Sequence, residues 1–485
     1  MSDASQAPAS LHPDRRWLAL IVLCMGVLMI VLDTTIVNVA LPSIKADLRF
    51  GDTELAWVVN AYMLTYGGFL LLGGRLGDLY GHRRLFLIGI GVFTLASLAC
   101  GLSTSQFALV IARSVQGLGG AVVTAVALSL IMDLFTEPAD RAKAMGVYGF
   151  VCAGGGSLGA MLGGVLTSSL SWHWVFLVNL PIGIGVVLAS WRLLPASSGT
   201  SASRHLDMWG ALTVTAALML AVYAIINGNQ VGWLAQRTLA QLVVALVLLG
   251  AFFGIEARVQ VPLMPLRLFR LRNLMVSNAV GVLWAAAMFA WFFLSALYMQ
   301  LVLRYGPMEV GLAFLPANLI MALFSLGISA RLVTRFGIRR PLAMGLALAA
   351  CGLLLFSRAS VHGDFVTDIL PGMVLLGIGA GVAFNPVLLA AMSDVRPSES
   401  GLASGVVNTA FMMGGSLGLA VLASLASWRT RGLLLSGSAN VEALTGGYQW
   451  AFLAGACFAA LGALLGALLL RVSPSFAQDG MDAAH

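Results

Sequence analysis

GRLGDLYGHRR, Gly74 to Arg84, returns later in the chain as ARLVTRFGIRR, Ala330 to Arg340. Arg75, Leu76, Gly81, Arg83 and Arg84 align with Arg331, Leu332, Gly337, Arg339 and Arg340 at one constant offset. Each copy is a short polar turn between two long apolar runs. A second echo, WVFLVN at Trp174 to Asn179 and WAFLAG at Trp450 to Gly455, falls late in each half. Both copies start on the same side of the membrane under the topology below. The halves therefore read as parallel repeats about an axis along the membrane normal, an arrangement of transporters with a midplane site between the halves.

The composition agrees. Of 485 residues 59% are hydrophobic and 10% charged, with mean hydropathy +0.94; soluble domains are about a quarter charged. The net charge of +7 comes from short clusters between apolar runs. No basic stripe alternates with aromatics, so a nucleic-acid partner is not expected. Cys24, Cys100, Cys152, Cys351 and Cys457 are scattered singly, without CxxC or metal-ligand spacing. No GxxxxGK[ST] phosphate loop or HExxH is present, which argues against an enzyme or an ATP-driven pump. No cofactor is expected beyond an ion gradient.

A membrane helix needs about 20 mostly apolar residues. Fourteen runs qualify, near 17–41, 55–75, 84–103, 106–132, 143–167, 172–193, 207–227, 237–256, 273–303, 309–331, 341–358, 366–392, 400–427 and 448–471. The head and the connections after even runs carry most of the basic residues, among them Arg15, Arg16, Arg83, Arg84, Arg141, Lys143, Arg192, Arg267, Arg270, Arg339, Arg340 and Arg396. By the positive-inside rule both termini are cytoplasmic. The expected organisation is an all-α polytopic membrane protein. A cytoplasmic tail at 1–16 precedes a six-helix bundle at 17–193 and a linker at 194–206. Two inserted helices span 207–256, a second linker 257–272, a second six-helix bundle 273–471 and a cytoplasmic tail 472–485.

Within this map VLDTTIVNVALP, Val31 to Pro42, buries Asp33 in the first run. Intramembrane charges are costly, need partners, and are functional candidates by default. Arg113 in the fourth run is the matching cation. Counted from the outer ends, Asp33 lies about ten residues deep and Arg113 about seven, so their depths differ by only roughly 5 Å. A contact is feasible, direct or through water. The twelfth run, PGMVLLGIGAG, offers neither an acid nor an arginine at the matching place.

These segments resemble the major facilitator superfamily, and within it the fourteen-span drug:proton antiporter branch. GGRLGDLYGHRR is similar to the family's cytoplasmic-loop signature, LDTTIVNVALP to the branch's first-span signature, RSVQGLGG (Arg113 to Gly120) to the fourth-span signature and WHWVFLVNLPIG (Trp172 to Gly183) to a further branch signature. The resemblance implies a major facilitator fold of two six-helix bundles plus two central helices in the cell membrane. It implies export of a small molecule against proton entry by alternating access, with protons, substrate and membrane lipid as partners and a monomer as the working unit. Asp33 would bind the proton and Arg113 tune it. Arg75, Gly77, Asp78, Gly81, Arg83 and Arg84 would form a latch on one face; Thr334 replaces the acid in the second copy, which weakens its latch.

Other residues follow from helical geometry. Gln116 shares a face with Arg113. Thr34, Thr35 and Asn38 lie on an arc beside Asp33 and serve either a cavity or interhelical bonding. Gly155, Gly159 and Gly163, at spacings of four, make a groove for close helix approach. Gly401/Gly405 and Gly414/Gly418 repeat this spacing. The antiporter branch places a Gly-Pro pair where this chain has Gly159–Ala160, which keeps uptake open as an alternative to export; a non-transporting receptor or scaffold is a third reading. Tyr62, Tyr66, Gln116, Thr34, Asn38, Trp284, Met288, Trp291 and Gln300 are the substrate-cavity candidates. A soft aromatic and methionine wall suits varied apolar ligands. Asn318, Asn385 and Asn408 are weaker candidates.

Overall fold

The computed structural model describes residues 13–51, 54–135, 137–194, 207–259, 262, 266–395 and 400–471. Residues 1–12 and 472–485, residues 195–206 of the first linker, and Arg396 lie outside the described residues. Every regular element described is helical.

In chain order they are α1 Pro13–Leu48, α2 Trp57–Tyr80, α3 His82–Gly101, α4 Gln106–Leu134 and α5 Pro138–Ser169. Then come α6 Trp174–Leu177 and α7 Asn179–Leu193, almost continuous, followed by α8 Met208–Val231 and α9 Gln236–Glu256. The later half has α10 Arg272–Leu297, α11 Pro307–Ala313, α12 Leu315–Leu323, α13 Ser329–Phe336, α14 Arg339–Phe356, α15 Leu370–Met392, α16 Ser400–Leu435 and α17 Asn440–Leu469.

Eleven helical segments among the described residues are long and apolar enough to cross a membrane, three fewer than the sequence suggests. The three are expected runs two, five and ten, which coincide with α2, α5 and α11–α13. Of α5 only Leu158–Ser169 counts, as a shorter apolar helix, and so does Pro307–Leu323. Run ten is broken by Pro316 in the first turn of α12 and by a π-helical turn, Phe324–Ile328. Widened turns leave carbonyls short of partners. Here Asn385 Nδ2 donates to Ser325 O at 2.7 Å, and Ser329 Oγ donates to Val382 O at 3.1 Å. Asn385 thus caps a carbonyl of the π turn.

The repeat extends to packing. In the first half α1 packs on α5, α2 and α3 on α4, and α3 and α1 on α7. In the second, α10 packs on α16, α12 and α14 on α15, and α14 and α10 on α17. Gly81 (φ 91°) and Gly337 (φ 73°) make equivalent turns with a backbone that a side chain disfavours. After each turn an arginine caps the last helix of its half: Arg83 Nη2 donates to Trp191 O of α7, and Arg339 Nη2 to Ala467 O of α17. A cation at a helix C-terminus is favoured by the macrodipole. We expect Gly81→Ala to cost about 1–3 kcal/mol, read as a lower melting temperature in lipid nanodiscs; an unchanged melting point would contradict the strain assigned to this turn.

The halves meet along two seams. In one, α2 packs on α16: Ser416 Oγ donates to Asn60 Oδ1 at 2.9 Å, and Gly67 faces Met412 and Met413. In the other, α5 packs on α11 and α12. A Cβ on Gly311 would lie 2.6 Å from Ala160 O, and one on Gly164 2.7 Å from Pro307 O, so backbone rides on backbone. With Ala160 in place of proline, α5 runs unbroken through this contact. The contacts of Gly164, Gly311 and Gln300 lie toward the end of the bundle that holds the 170–173 and 303–306 connections. α8 packs on both α2 and α16, across the first seam. α9 packs on α8 and is otherwise largely uncovered, as a lipid-facing helix would be.

Candidate functional site

Asp33 and Arg113 meet directly inside the first half. Arg113 Nη1 donates to Asp33 Oδ2 at 2.5 Å, and the two residues are 1% and 0% exposed, in that order. Two buried charges cost several kcal/mol each to desolvate, and only a well-satisfied pair recovers that cost. The surroundings satisfy it. Arg113 Nε donates to Val58 O of α2 at 2.9 Å, and Nη1 also donates to Gln116 Oε1 at 2.6 Å. The guanidinium lies 4.3 Å from the centre of the Tyr62 ring, a cation–π contact. Asp33 Oδ1 accepts from Gln116 Nε2 at 2.8 Å and from Asn179 Nδ2 at 3.2 Å. Both amides also reach Ser97 Oγ, at 2.6 and 3.0 Å. Cys100 Sγ closes the set at 3.6 Å from Gln116 Oε1.

Five helices thus contribute to one polar cluster, in which α4 and α7 bond the carboxylate directly. α1 gives Asp33, α3 Ser97 and Cys100, α4 Arg113 and Gln116, α2 Tyr62 and α7 Asn179. Each approach depends on small residues. A Cβ on Gly117 would fall 2.2 Å from Thr65 Oγ1 and 2.4 Å from Tyr62 O, so α4 reaches α2 only as glycine permits. The carboxylate receives three N–H donors. A proton on Oδ2 would displace Arg113, and one on Oδ1 would displace the two amides.

Ser97 and Asn179 are absent from the sequence expectations. Asn179 had a signal: it is the one amide in the apolar core of the quoted WHWVFLVNLPIG. Ser97, in an alanine- and leucine-rich run, had none.

The other sequence-derived candidates scatter. Thr34 Oγ1 donates to Val31 O at 2.7 Å, and Asn38 Nδ2 to Thr34 O at 3.1 Å, so both bond along their own helix. Thr35 presses on Gly159, where a Cβ would come within 1.9 Å of its hydroxyl. Gly155, Gly159 and Gly163 all face α1, and Gly414 and Gly418 face α10 in the same way. We expect Gly159→Val to overpack this contact by about 1–3 kcal/mol; equal thermal stability of variant and parent would disprove it. Tyr66 stacks on Tyr62 with ring centres 5.8 Å apart. Gln300 Nε2 donates to Val39 O at 2.9 Å, a bond from one half to the other.

Trp284, Met288 and Trp291 do come together. With Asn318 and Met321 they line a tight crevice of about 10 Å³ between α10, α12 and α15, room for a single water molecule. In the loop signature, Gly77 fits between His82 and Val126, Arg83 caps α7 and Arg84 is exposed. The side chains of Arg75 and Asp78 lie outside those described. The segments GGSLG at Gly155–Gly159 and Gly414–Gly418 match a GxSxG hydrolase pattern, but both lie inside helices rather than at a strand-to-helix turn. No cluster of His, Cys, Asp or Glu fit to hold a metal occurs among the described residues.

The family model described as Major Facilitator Superfamily matches residues 23–419. The chain belongs to the Major Facilitator Superfamily. It is 39% identical over 450 residues to the puromycin resistance protein pur8 of Streptomyces alboniger, covering 91% of this chain and 89% of that protein. It is 39% identical over 417 residues to the cephamycin export protein CmcT of Amycolatopsis lactamdurans, covering 85% and 86%. Against the multidrug resistance protein Stp of Mycobacterium tuberculosis it is 36% identical over 412 residues, covering 85% and 76%. A solved bacterial homolog of the human lysosomal transporter Spinster superposes with TM-score 0.67 at 17% identity, covering 96% and 100%, and an auto-inhibited POT family peptide transporter also scores 0.67. At that identity these structures show the shared fold alone. As a major facilitator, the protein is a multi-pass inner-membrane secondary transporter of small molecules and not an enzyme.

Proposed function

We propose that this transporter exports drug-like or antibiotic small molecules in exchange for protons, as a monomer of fourteen membrane spans with both termini cytoplasmic. The observation that carries the reading is Asp33, a fully buried carboxylate whose three N–H donors come from α4 and α7. α2, α5 and α11–α13 supply the three spans beyond the eleven long apolar segments. The domain plan, six helices plus two plus six, rests on the repeated packing pairs. The relatives named for puromycin resistance, cephamycin export and multidrug resistance favour export over uptake despite Ala160.

The cycle runs through the buried cluster. With Asp33 charged, α1, α4 and α7 are tied together around it. A proton on Asp33 Oδ2 takes the acceptor and the counter-charge of Arg113 and so loosens it, while Oδ1 keeps the amides of Gln116 and Asn179. That gives the proton-loaded and proton-free forms different helix packing, and a ligand shifts an equilibrium only through such a difference. Asp33 is sealed here, so the proton enters when the halves rock apart at the seam between α5 and α11. The loop signature, including Arg75 and Asp78, is assigned to holding the opposite face.

Reconstituted proteoliposomes test the direction of transport. With an imposed pH gradient, proton-rich on the side to which substrate moves out, we expect accumulation against the substrate gradient. Transport with the proton flow, or transport indifferent to pH, would sink the exchange reading.

A further inference from the structure

We infer that a cavity between α16, α17 and the 357–364 connection binds the headgroup of a membrane phospholipid, its phosphate on Arg429 and a primary ammonium on Glu442. The site shares no residue with the buried cluster of the first half.

The cavity holds about 430 Å³ and opens at the surface. That is within the usual size of a small-molecule site, about 300–1,000 Å³. Arg429 and Glu442 both line it, and among the described residues neither has a salt-bridge partner. Arg429 Nε is buried without an acceptor, and the guanidinium lies 5.4 Å from the centre of the Trp450 ring. That cation–π contact fixes the cation in place and leaves its charge uncompensated. A guanidinium presents paired N–H donors that match two phosphate oxygens. Glu442 is exposed in the first turn of α17. Ser360, Ser438, Thr445 and Gln449 add polar lining. An anion alone leaves Glu442 idle, and a cation alone leaves Arg429 idle. A zwitterion satisfies both.

Depth selects the source of that zwitterion. α14, Arg339–Phe356, rises about 27 Å, close to the hydrocarbon thickness of about 30 Å. The 357–364 connection that follows it therefore lies at the membrane surface. The cavity is fastened to that connection. Gln449 Nε2 donates to Ala359 O at 2.7 Å, and Tyr298 Oη donates to Ser360 O at 2.6 Å. Trp428 and Trp450 are half-exposed beside Arg429, as tryptophans are at an interface. From Trp450 an exposed apolar stripe runs down α17 through Leu453, Cys457, Leu461, Leu464 and Leu468, at spacings of three and four. It gives acyl chains a track that begins at the cavity. A soluble zwitterion would fill the cavity and leave the stripe bare.

Native mass spectrometry of the full-length protein in detergent tests the site. Titration with phosphatidylethanolamine or phosphatidylglycerol reads the affinity of the first bound lipid. The two share the phosphate, and only the first carries an ammonium. We expect the parent protein to prefer phosphatidylethanolamine about tenfold, the size of one hydrogen bond to a charged group. Glu442→Gln should erase that preference and leave phosphatidylglycerol binding unchanged. Arg429→Gln should weaken both lipids by about tenfold through loss of the charge-assisted bonds to phosphate. Ser438→Phe fills the cavity, keeps both charges and should also weaken both; it decides the matter if a charge variant fails to fold. A parent protein without preference, or a preference that survives Glu442→Gln, overturns the site. Glycerophosphoethanolamine, the same headgroup without chains, separates the two sources. Displacement of the lipid by an equal concentration of it overturns the lipid assignment.

Discussion

Asp33→Asn abolishes transport driven by a pH gradient while leaving the protein folded and able to exchange substrate across the membrane. An asparagine has nearly the same shape, and its oxygen still accepts from Arg113, although that buried guanidinium loses its counter-charge and the melting temperature falls with it. What disappears is the site where a proton binds. The loss should be about 100-fold, near the upper end of ordinary coupling between two ligands. Proteoliposomes loaded with substrate read both processes: uphill movement under a pH jump, and counterflow with no gradient. Uphill transport at the parent rate would remove Asp33 from the coupling step. Loss of counterflow as well would give the pair a purely structural role.

Arg113→Gln has the larger effect on stability. It leaves Asp33 buried at 0% exposure without its cation, a change that costs about 3–5 kcal/mol. It also leaves Val58 O and the Tyr62 ring without their partner. We expect a steep fall in melting temperature and in yield of monodisperse protein. The double variant Asp33→Asn, Arg113→Gln removes both charges and should recover much of that stability, since an uncharged pair has no uncompensated ion. It should not recover proton coupling. Double and single variants that melt alike would show that Arg113 acts through packing and not through the charge of Asp33.

Much of the fold was legible in the sequence because membrane helices are written in long apolar runs and the repeat is written in turn residues. Gly81 and Gly337 are recognisable since a left-handed turn between antiparallel helices leaves little choice of residue. Run ten was harder. Its interruption depends on a π turn that Asn385 steadies from another helix, and no local pattern encodes that. The Asp33–Arg113 contact followed from depth, because a helix converts residue count into distance. Ser97 did not follow: a serine in an apolar run looks the same whether it bonds its own backbone or completes a polar cluster. The cavity candidates show the same limit. Gln300 and Asn38 are polar and correctly deep, yet their rotation about the helix axis and their neighbours direct them to backbone carbonyls. Trp284 and Trp291 share a crevice because seven residues is close to two whole turns.

The placement of α8 gives the molecule a covered side and a bare one. Rocking of two bundles opens lateral slits toward the bilayer wherever their helices part. On the α2–α16 flank, α8 lies across the slit like a shutter, held by the close fit of Gly68 to Thr215 and by Ser424 Oγ donating to Ile225 O at 3.2 Å. The α5–α12 flank has no such cover among the described residues. Among the described residues, the flank beside α5 and α12 is thus the uncovered way in for an oily compound dissolved in the membrane. A membrane-soluble photoreactive probe should label that flank and spare α2; equal labelling of both would show that the shutter does not close.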